Sequence, residues 1–454
     1  MRTDDTKERQ VLAKVIRRLV PFMILLYIFN YLDRVNISFA KLEMERLCGI
    51  TKSVYASGVA IFYIGYCLFE VPSNLVMMRV GARRWIARIM ITWGIVSTCM
   101  LLIKGPNSFY LLRFLLGVAE AGFFPGIILY FTYWIPAKER ARAGAILMTS
   151  TAVSGVIGSM LAEQTFKISG LGGLAGWQWL ILVEGIPTVL LGFVVLFFLP
   201  DTPEEASWLN DEERELLSSA LKKDRGAHTD GHEYSGIGRA FTDIKLWQLV
   251  AIYCAILTGF YGIQYWTPTI FQEVLFTNVE KLSSQENAIV SRWVAIPYLA
   301  AAFGMVFVGW NSDRTGDRVK HVAMCCFIAT AGFVVVCLFK SSMVLTIAGL
   351  SLSAMGSFGT LGPFWALPPA FLRGAGAAAG IALINSMGNL AGGLVAQKVM
   401  GWVIDEKKAN SYVVGLGLYA AVLFFAGCLA LTLRTDPAVK TAATPTIVPD
   451  IADG

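Results

Sequence analysis

Twelve apolar runs, each about 20 residues long and parted by short polar breaks, constrain this 454-residue chain more than any other feature. Inside lipid every backbone N–H and C=O must be satisfied within the protein, and runs of this length do so as helices. The composition agrees. With 56% hydrophobic and 15% charged residues, a single soluble domain would expose far too much apolar surface. The expected fold is therefore an all-α membrane protein. The net charge of +6 lies in short patches beside the runs, which fits membrane topology and gives no sign of nucleic-acid binding. The first run is full length, carries charge and lacks a small-residue cleavage site, so it reads as a membrane helix and not a signal peptide.

The runs fall into two sets of six. Residues 19–199 form an N-terminal bundle and 244–433 a C-terminal one. A short N-terminal segment, 1–18, precedes them, and 434–454 reads as a disordered tail. Between the bundles, 200–243 is the longest polar segment. Asp211 to Glu215 followed by Leu216 and Leu217 predicts a short amphipathic helix there, and Gly226 to Gly238 a flexible linker. Basic residues crowd the N-terminus (Arg2, Lys7, Arg9, Lys14, Arg17, Arg18), the second break (Arg79, Arg83, Arg84, Arg88) and the fourth (Lys138, Arg140, Arg142). Lys104 and Lys167 stand alone in the breaks between. This asymmetry is expected to place both termini in the cytoplasm; the membrane is expected to be the inner cell membrane.

The run Leu19–Ala40 carries Asp33 and Arg34 side by side at about mid-membrane depth. Each such charge costs on the order of 2.5–3.5 kcal/mol at a helix centre, so it belongs in a protein interior or a wet pathway. A tight pair that only fixes helix packing is the alternative. In the fourth run Arg113 and Glu120 lie seven residues apart, close to two turns, on one face and about 10.5 Å apart along the axis. Each then needs a partner on another helix, and the first run offers one of each sign. Asp33, Arg34, Arg113 and Glu120 are thus expected to form one neutral cluster that trades partners when a proton or an anion arrives, with a structural brace as the plainer reading of Arg113 and Glu120. Glu70, Glu163 and Glu184 sit nearer run ends and read as structural.

The second half is built differently. Its seventh, tenth and eleventh runs carry Tyr261, Gln264 and Tyr265; Ser357, Pro363 and Trp365; Asn385, Ser386 and Asn389. These suit hydroxyl or ring recognition, although asparagines also hold membrane helices together. Gly309-Trp-Asn-Ser-Asp313-Arg314-Thr-Gly316-Asp-Arg318 follows the eighth run. Arg79, Gly81 and Arg83 repeat its spacing in the first half, with Met78 in place of the aspartate. The eight cysteines form no C-x-x-C pair, the three histidines fall in polar loops, and no metal or cofactor site is expected.

The G-x-x-S-D-R-x-G-D-R pattern resembles the loop signature of the major facilitator superfamily. Asn30-Tyr-Leu-Asp-Arg34, Gly81-Ala-Arg-Arg-Trp85, Glu120-Ala-Gly-Phe-Phe-Pro125 and Gly176-Trp-Gln-Trp179 resemble its anion:cation symporter family. That family includes bacterial permeases for tartrate, sugar acids and 4-hydroxyphenylacetate. The resemblance implies twelve transmembrane helices in two pseudo-symmetric six-helix bundles. It also implies a non-enzyme, usually monomeric, that imports a small carboxylate with protons. An exchanger or facilitator without net proton movement is the alternative. By the same resemblance Asp33 and Glu120 are proton-coupling sites, Arg34 binds substrate, and Tyr31, Tyr66, Trp365 and Asn385 match substrate-contacting positions. Arg113 and Gln264 join them as candidates from the residue reading. Asp313, Arg314, Arg318, Arg79 and Arg83 are expected to form a cytoplasmic latch. Thr151 stands where sugar-acid permeases carry a hydroxyl-binding glutamine, which favours a shorter or more aromatic acid.

Overall fold

The computed structural model describes residues 2–228, 243–276, 282–368, 375–404 and 411–433. Of the linker expected from Gly226 to Gly238, residues 226–228 belong instead to a helix, and the rest, with His232, lies outside the described residues, as does the tail from 434. Ten helical segments are long and apolar enough to cross a membrane. Two more complete the twelve expected spans: helix α1 (Arg2–Cys48), which is too charged to count by composition alone, and the broken run from Ala375 to Val403.

Helix α1 is continuous through the segment that the sequence separates as 1–18. Every residue from Asn30 to Met44 is buried, as is every residue from Ala255 to Gln272 of α9 (Ile244–Leu275), the first helix of the second half. A helix buried on all sides lies inside a bundle. Asp33 and Arg34 therefore face protein on every side.

The other first-half helices are α2 (Lys52–Val80), α3 (Ala82–Cys99), α4 (Pro106–Glu120), α5 (Phe123–Trp134), α6 (Ala137–Lys167) and α7 (Gly176–Phe198). The expected single span from Ser108 to Ile135 is broken directly after Glu120. Gly122 takes φ +85°, a left-handed conformation that glycine adopts without strain, so α5 restarts in a new direction. In the second half α9 is followed by α10 (Ser284–Thr315), α11 (Arg318–Leu338), α12 (Met343–Gly359), α13 (Leu361–Trp365), α14 (Ala375–Asn389), a π turn (Leu390–Val395), α15 (Ala396–Val403) and α16 (Tyr412–Leu431). His321, expected in a loop, lies instead in the first turn of α11. It is buried there between the Asp317 carbonyl (2.7 Å) and Asn311 (3.0 Å).

The predicted amphipathic helix is α8 (Asp211–His228). It docks on the start of α1 through Lys7–Glu212 (2.6 Å) and Lys14–Glu213 (2.7 Å). The hydrogen bond from Lys14 holds the Glu213 carboxyl below its ordinary range. A depressed carboxyl contributes to docking above its unfolded value and loses that contribution as pH falls through the folded one. Hydrogen-exchange protection of α8 should accordingly drop below about pH 4.

Candidate functional site

We call the face carrying the N-terminus proximal and the other distal. Most of the polar bonds that join the two halves gather at distal helix ends, while Tyr63–Tyr265 (3.0 Å) and Asn385–Glu70 (3.4 Å) join them deeper in the bundle. Lys52 pairs with Glu273 (2.6 Å), Arg292 with Glu163 (2.6 Å), Tyr55 donates to the Tyr265 carbonyl (3.1 Å), Lys398 to Ser57 (3.0 Å), Lys41 to Thr269 (3.1 Å), and Ser284 to Glu43. Among the described residues the charged pairs of the proximal loops lie within their own halves. Asp313 pairs with Arg318 (2.5 Å), Arg314 lies over Trp310, and Arg83 faces Asp201 (3.6 Å) and Glu205 (3.8 Å). Among the described residues no ion pair joins Arg79 or Arg83 to Asp313, Arg314 or Arg318. The structure is thus the state closed at the distal face.

The expected four-membered cluster separates into three sites. Arg34 and Glu120 form one. The Arg34 Nε donates to Glu120 Oε1 at 2.5 Å, a second guanidinium nitrogen reaches the same oxygen, and Asn30 donates to it at 2.8 Å. Three donors therefore converge on one oxygen while Oε2 has no partner. The rings of Tyr31, Phe62 and Tyr66 surround the guanidinium at 5.0–5.6 Å, a cation–π setting that holds it without satisfying its charge.

Asp33 points away from this pair, towards α3. Trp93 Nε1 (2.7 Å), Asn36 (3.0 Å) and the Ser97 hydroxyl donate to it. Glu184, which the sequence places near a run end, is buried close to Asp33 and Asn36, and neither of its carboxyl oxygens is hydrogen-bonded. Adjacent residues of a helix face about 100° apart, so Asp33 and Arg34 could not both enter the same cluster.

Arg113 is the third site. It is fully buried, over the Phe62 ring at 4.6 Å, with a long 3.5 Å bond to the Gly58 carbonyl and one terminal nitrogen unpartnered. No carboxylate pairs with it among the described residues. The two-turn spacing from Glu120 keeps it one layer nearer the distal face.

Between the halves lies a cavity of about 40 Å³, lined by Arg34, Tyr31, Tyr66, Trp365 and Asn385 from the expected set. Gln264 is buried elsewhere, with its amide nitrogen unpartnered. Tyr27, Phe124, Met148, Tyr253, Phe260, Tyr261 and Asn389 also line it. Most of these look like ordinary core in sequence, and only the density of tyrosine along α1, α2 and α9 hints otherwise. Thr151 does not reach the cavity: it bonds back to the Met148 carbonyl, and Met148 is the residue its helix presents. A space this size holds a few waters, so an organic solute enters only after the halves or the aromatic rings move.

Comparison with known proteins agrees with this architecture. The pattern of the Major Facilitator Superfamily matches residues 23–396. A protein of Agrobacterium vitis named "Putative tartrate transporter" is 44% identical over 97% of this chain and 95% of its own length. The inner membrane transport protein RhmT of Escherichia coli is 34% identical over 93% and 95%. The inward-facing, unoccupied crystal structure of a bacterial homolog to the human lysosomal transporter Spinster superposes with a TM-score of 0.70 at 17% identity, covering 94% of this chain and 99% of that one. The chain belongs to the major facilitator superfamily and is a multi-pass membrane transporter, not an enzyme.

Proposed function

We propose that this protein is a proton-coupled symporter that imports a small organic carboxylate by alternating access. The observation that carries this reading is the Arg34–Glu120 pair with its bare Oε2. Arg34 is the one cation among the described residues lining the central cavity, and a guanidinium matches a carboxylate with two parallel N–H donors. A proton arriving at Glu120 Oε2 removes the charge that holds Arg34. The freed guanidinium, now an uncompensated cation, then takes the substrate carboxylate, and the loaded site is neutral again. Asp33, in its shell of three donors, is the second candidate for a proton. Arg113 would meet the anion on the distal side. The name of the Agrobacterium relative supports a hydroxy acid of the tartrate kind. The aromatic walls also accommodate a ring acid.

Basic proximal loops put both termini in the cytoplasm of an inner membrane, and the state seen is then inward-facing. In the opposite state Arg79 and Arg83 would meet Asp313, Arg314 and Arg318 as a latch. On this reading Asp313→Asn lowers turnover about two- to five-fold, the worth of one partly exposed charged contact, without changing equilibrium binding.

Uptake of labelled tartrate into proteoliposomes tests the function. Accumulation should require an inward proton gradient. Accumulation of equal size without one would contradict the coupling.

A further inference from the structure

Glu70, expected to be structural, is buried where the two halves meet. It lies on α2, one turn beyond Tyr66 towards the proximal face, and is only 6% exposed. Its carboxylate meets the second half through Asn385, whose Nδ2 donates to Oε1 at 3.4 Å. Asn385 belongs to a directed chain. The Tyr261 hydroxyl donates to Asn389 Oδ1 (2.7 Å), Asn389 Nδ2 donates to Asn385 Oδ1 (3.4 Å) and to its carbonyl (3.0 Å), and Asn385 donates to Glu70. Every donor in the chain points towards Glu70. An ionised carboxylate only accepts, so it fixes which end of each amide faces the next. Among the described residues its second oxygen has no hydrogen-bond partner, and it is not one of the fully enclosed orphan atoms. Tyr66, whose ring lies 5.0 Å from the Arg34 guanidinium, sits between Arg34 and Glu70, and one turn of α2 is about 6 Å long.

We infer that Glu70 is a specificity-determining residue that accepts a hydrogen bond from a hydroxyl of the substrate, a few bonds away from the carboxylate held by Arg34. This rests on the proposed carboxylate function and narrows it to hydroxy acids. The Asn385–Asn389–Tyr261 chain holds Glu70 in place. Glu70 adjoins the cavity through Asn385, which lines it, so its free carboxylate oxygen meets the solute once the halves or the rings move. A solute lacking the hydroxyl brings no donor to that acceptor.

Binding of tartrate and of succinate, its counterpart without hydroxyls, to the full-length protein in detergent tests this. Wild type should prefer tartrate by about ten-fold or more, the worth of a hydrogen bond to a charged group. In E70Q the amide oxygen must face the Asn385 donor, so a neutral N–H, to which a hydroxyl bonds more weakly, replaces the charged acceptor. The preference should fall to within about three-fold while succinate binds as before. E70D, which keeps the carboxylate, should recover part of it. If E70Q does not fold, Asn385→Ala, which unpins Glu70, should lower the same ratio. An unchanged ratio in the variants overturns the inference, as does an equal loss for both acids, which would mark Glu70 as structural. Failure of wild type to bind either acid would instead overturn the carboxylate reading beneath it.

Discussion

An Arg34→Ala protein should show no tartrate uptake in proteoliposomes and should be less stable by about 3–5 kcal/mol, the usual cost of removing one member of a buried ion pair. Both effects have the same origin. Glu120 is fully buried, and its charge is met by two Arg34 nitrogens and the Asn30 amide. Removing the arginine leaves a carboxylate in an apolar bundle with one neutral donor. Adding Glu120→Gln to Arg34→Ala should restore much of the stability, because it removes the stranded charge, yet uptake should stay absent. Arg34→Lys keeps the charge but loses the planar fork, so it should fold well and transport poorly. Thermal unfolding in detergent alongside uptake separates these outcomes. An Arg34→Ala protein as stable as wild type would mean that the pair is not formed.

The second large effect is expected at Gly117. A Cβ placed there would lie 2.1 Å from the Phe62 carbonyl oxygen and 2.9 Å from the Tyr66 nitrogen. Across the same contact a Cβ on Gly65 would meet the Phe114 carbonyl at 2.6 Å. Helices α2 and α4 therefore touch backbone to backbone, as small residues allow in membranes. This contact sets Tyr66 against the arginine that Glu120 holds. The clashing atoms are main chain and cannot rotate away. Gly117→Leu should cost about 3 kcal/mol, the upper range for overpacking, and yield little monodisperse protein. Gly144, on α6, has nothing within 4 Å of the same position, so Gly144→Ala should be neutral or slightly stabilising. Equal behaviour of the two variants in size-exclusion chromatography would contradict the packing described.

The spans and their pairing into halves were legible because lipid leaves a chain few choices. Run length alone announces a helix, and a charge inside a run announces an interior. Asp33, Arg34, Arg113 and Glu120 were found that way, and all four are buried. Their partners were not legible. Whether Asp33 turns towards Arg113 or towards Trp93 depends on helix rotation, which apolar periodicity fixes poorly when a helix is buried on every side, as α1 is between Asn30 and Met44. The depth of Glu70 and Glu184 was not legible either. Both were placed nearer run ends by counting along the sequence, and both are buried in the bundle. The break after Glu120 was hidden because Ala121-Gly-Phe-Phe-Pro125 is apolar enough to continue a span. The left-handed turn at Gly122 has no hydropathy signature.

Simultaneous recording of substrate and proton entry bears most directly on the exchange of Arg34 between Glu120 and a carboxylate. In proteoliposomes loaded with a pH-sensitive dye, addition of tartrate outside should acidify the lumen in wild type. Glu120→Gln should show no acidification and no uphill accumulation, while tartrate binding persists. Lumenal acidification of undiminished size in Glu120→Gln, or tartrate entry in wild type without any proton signal, would contradict the account.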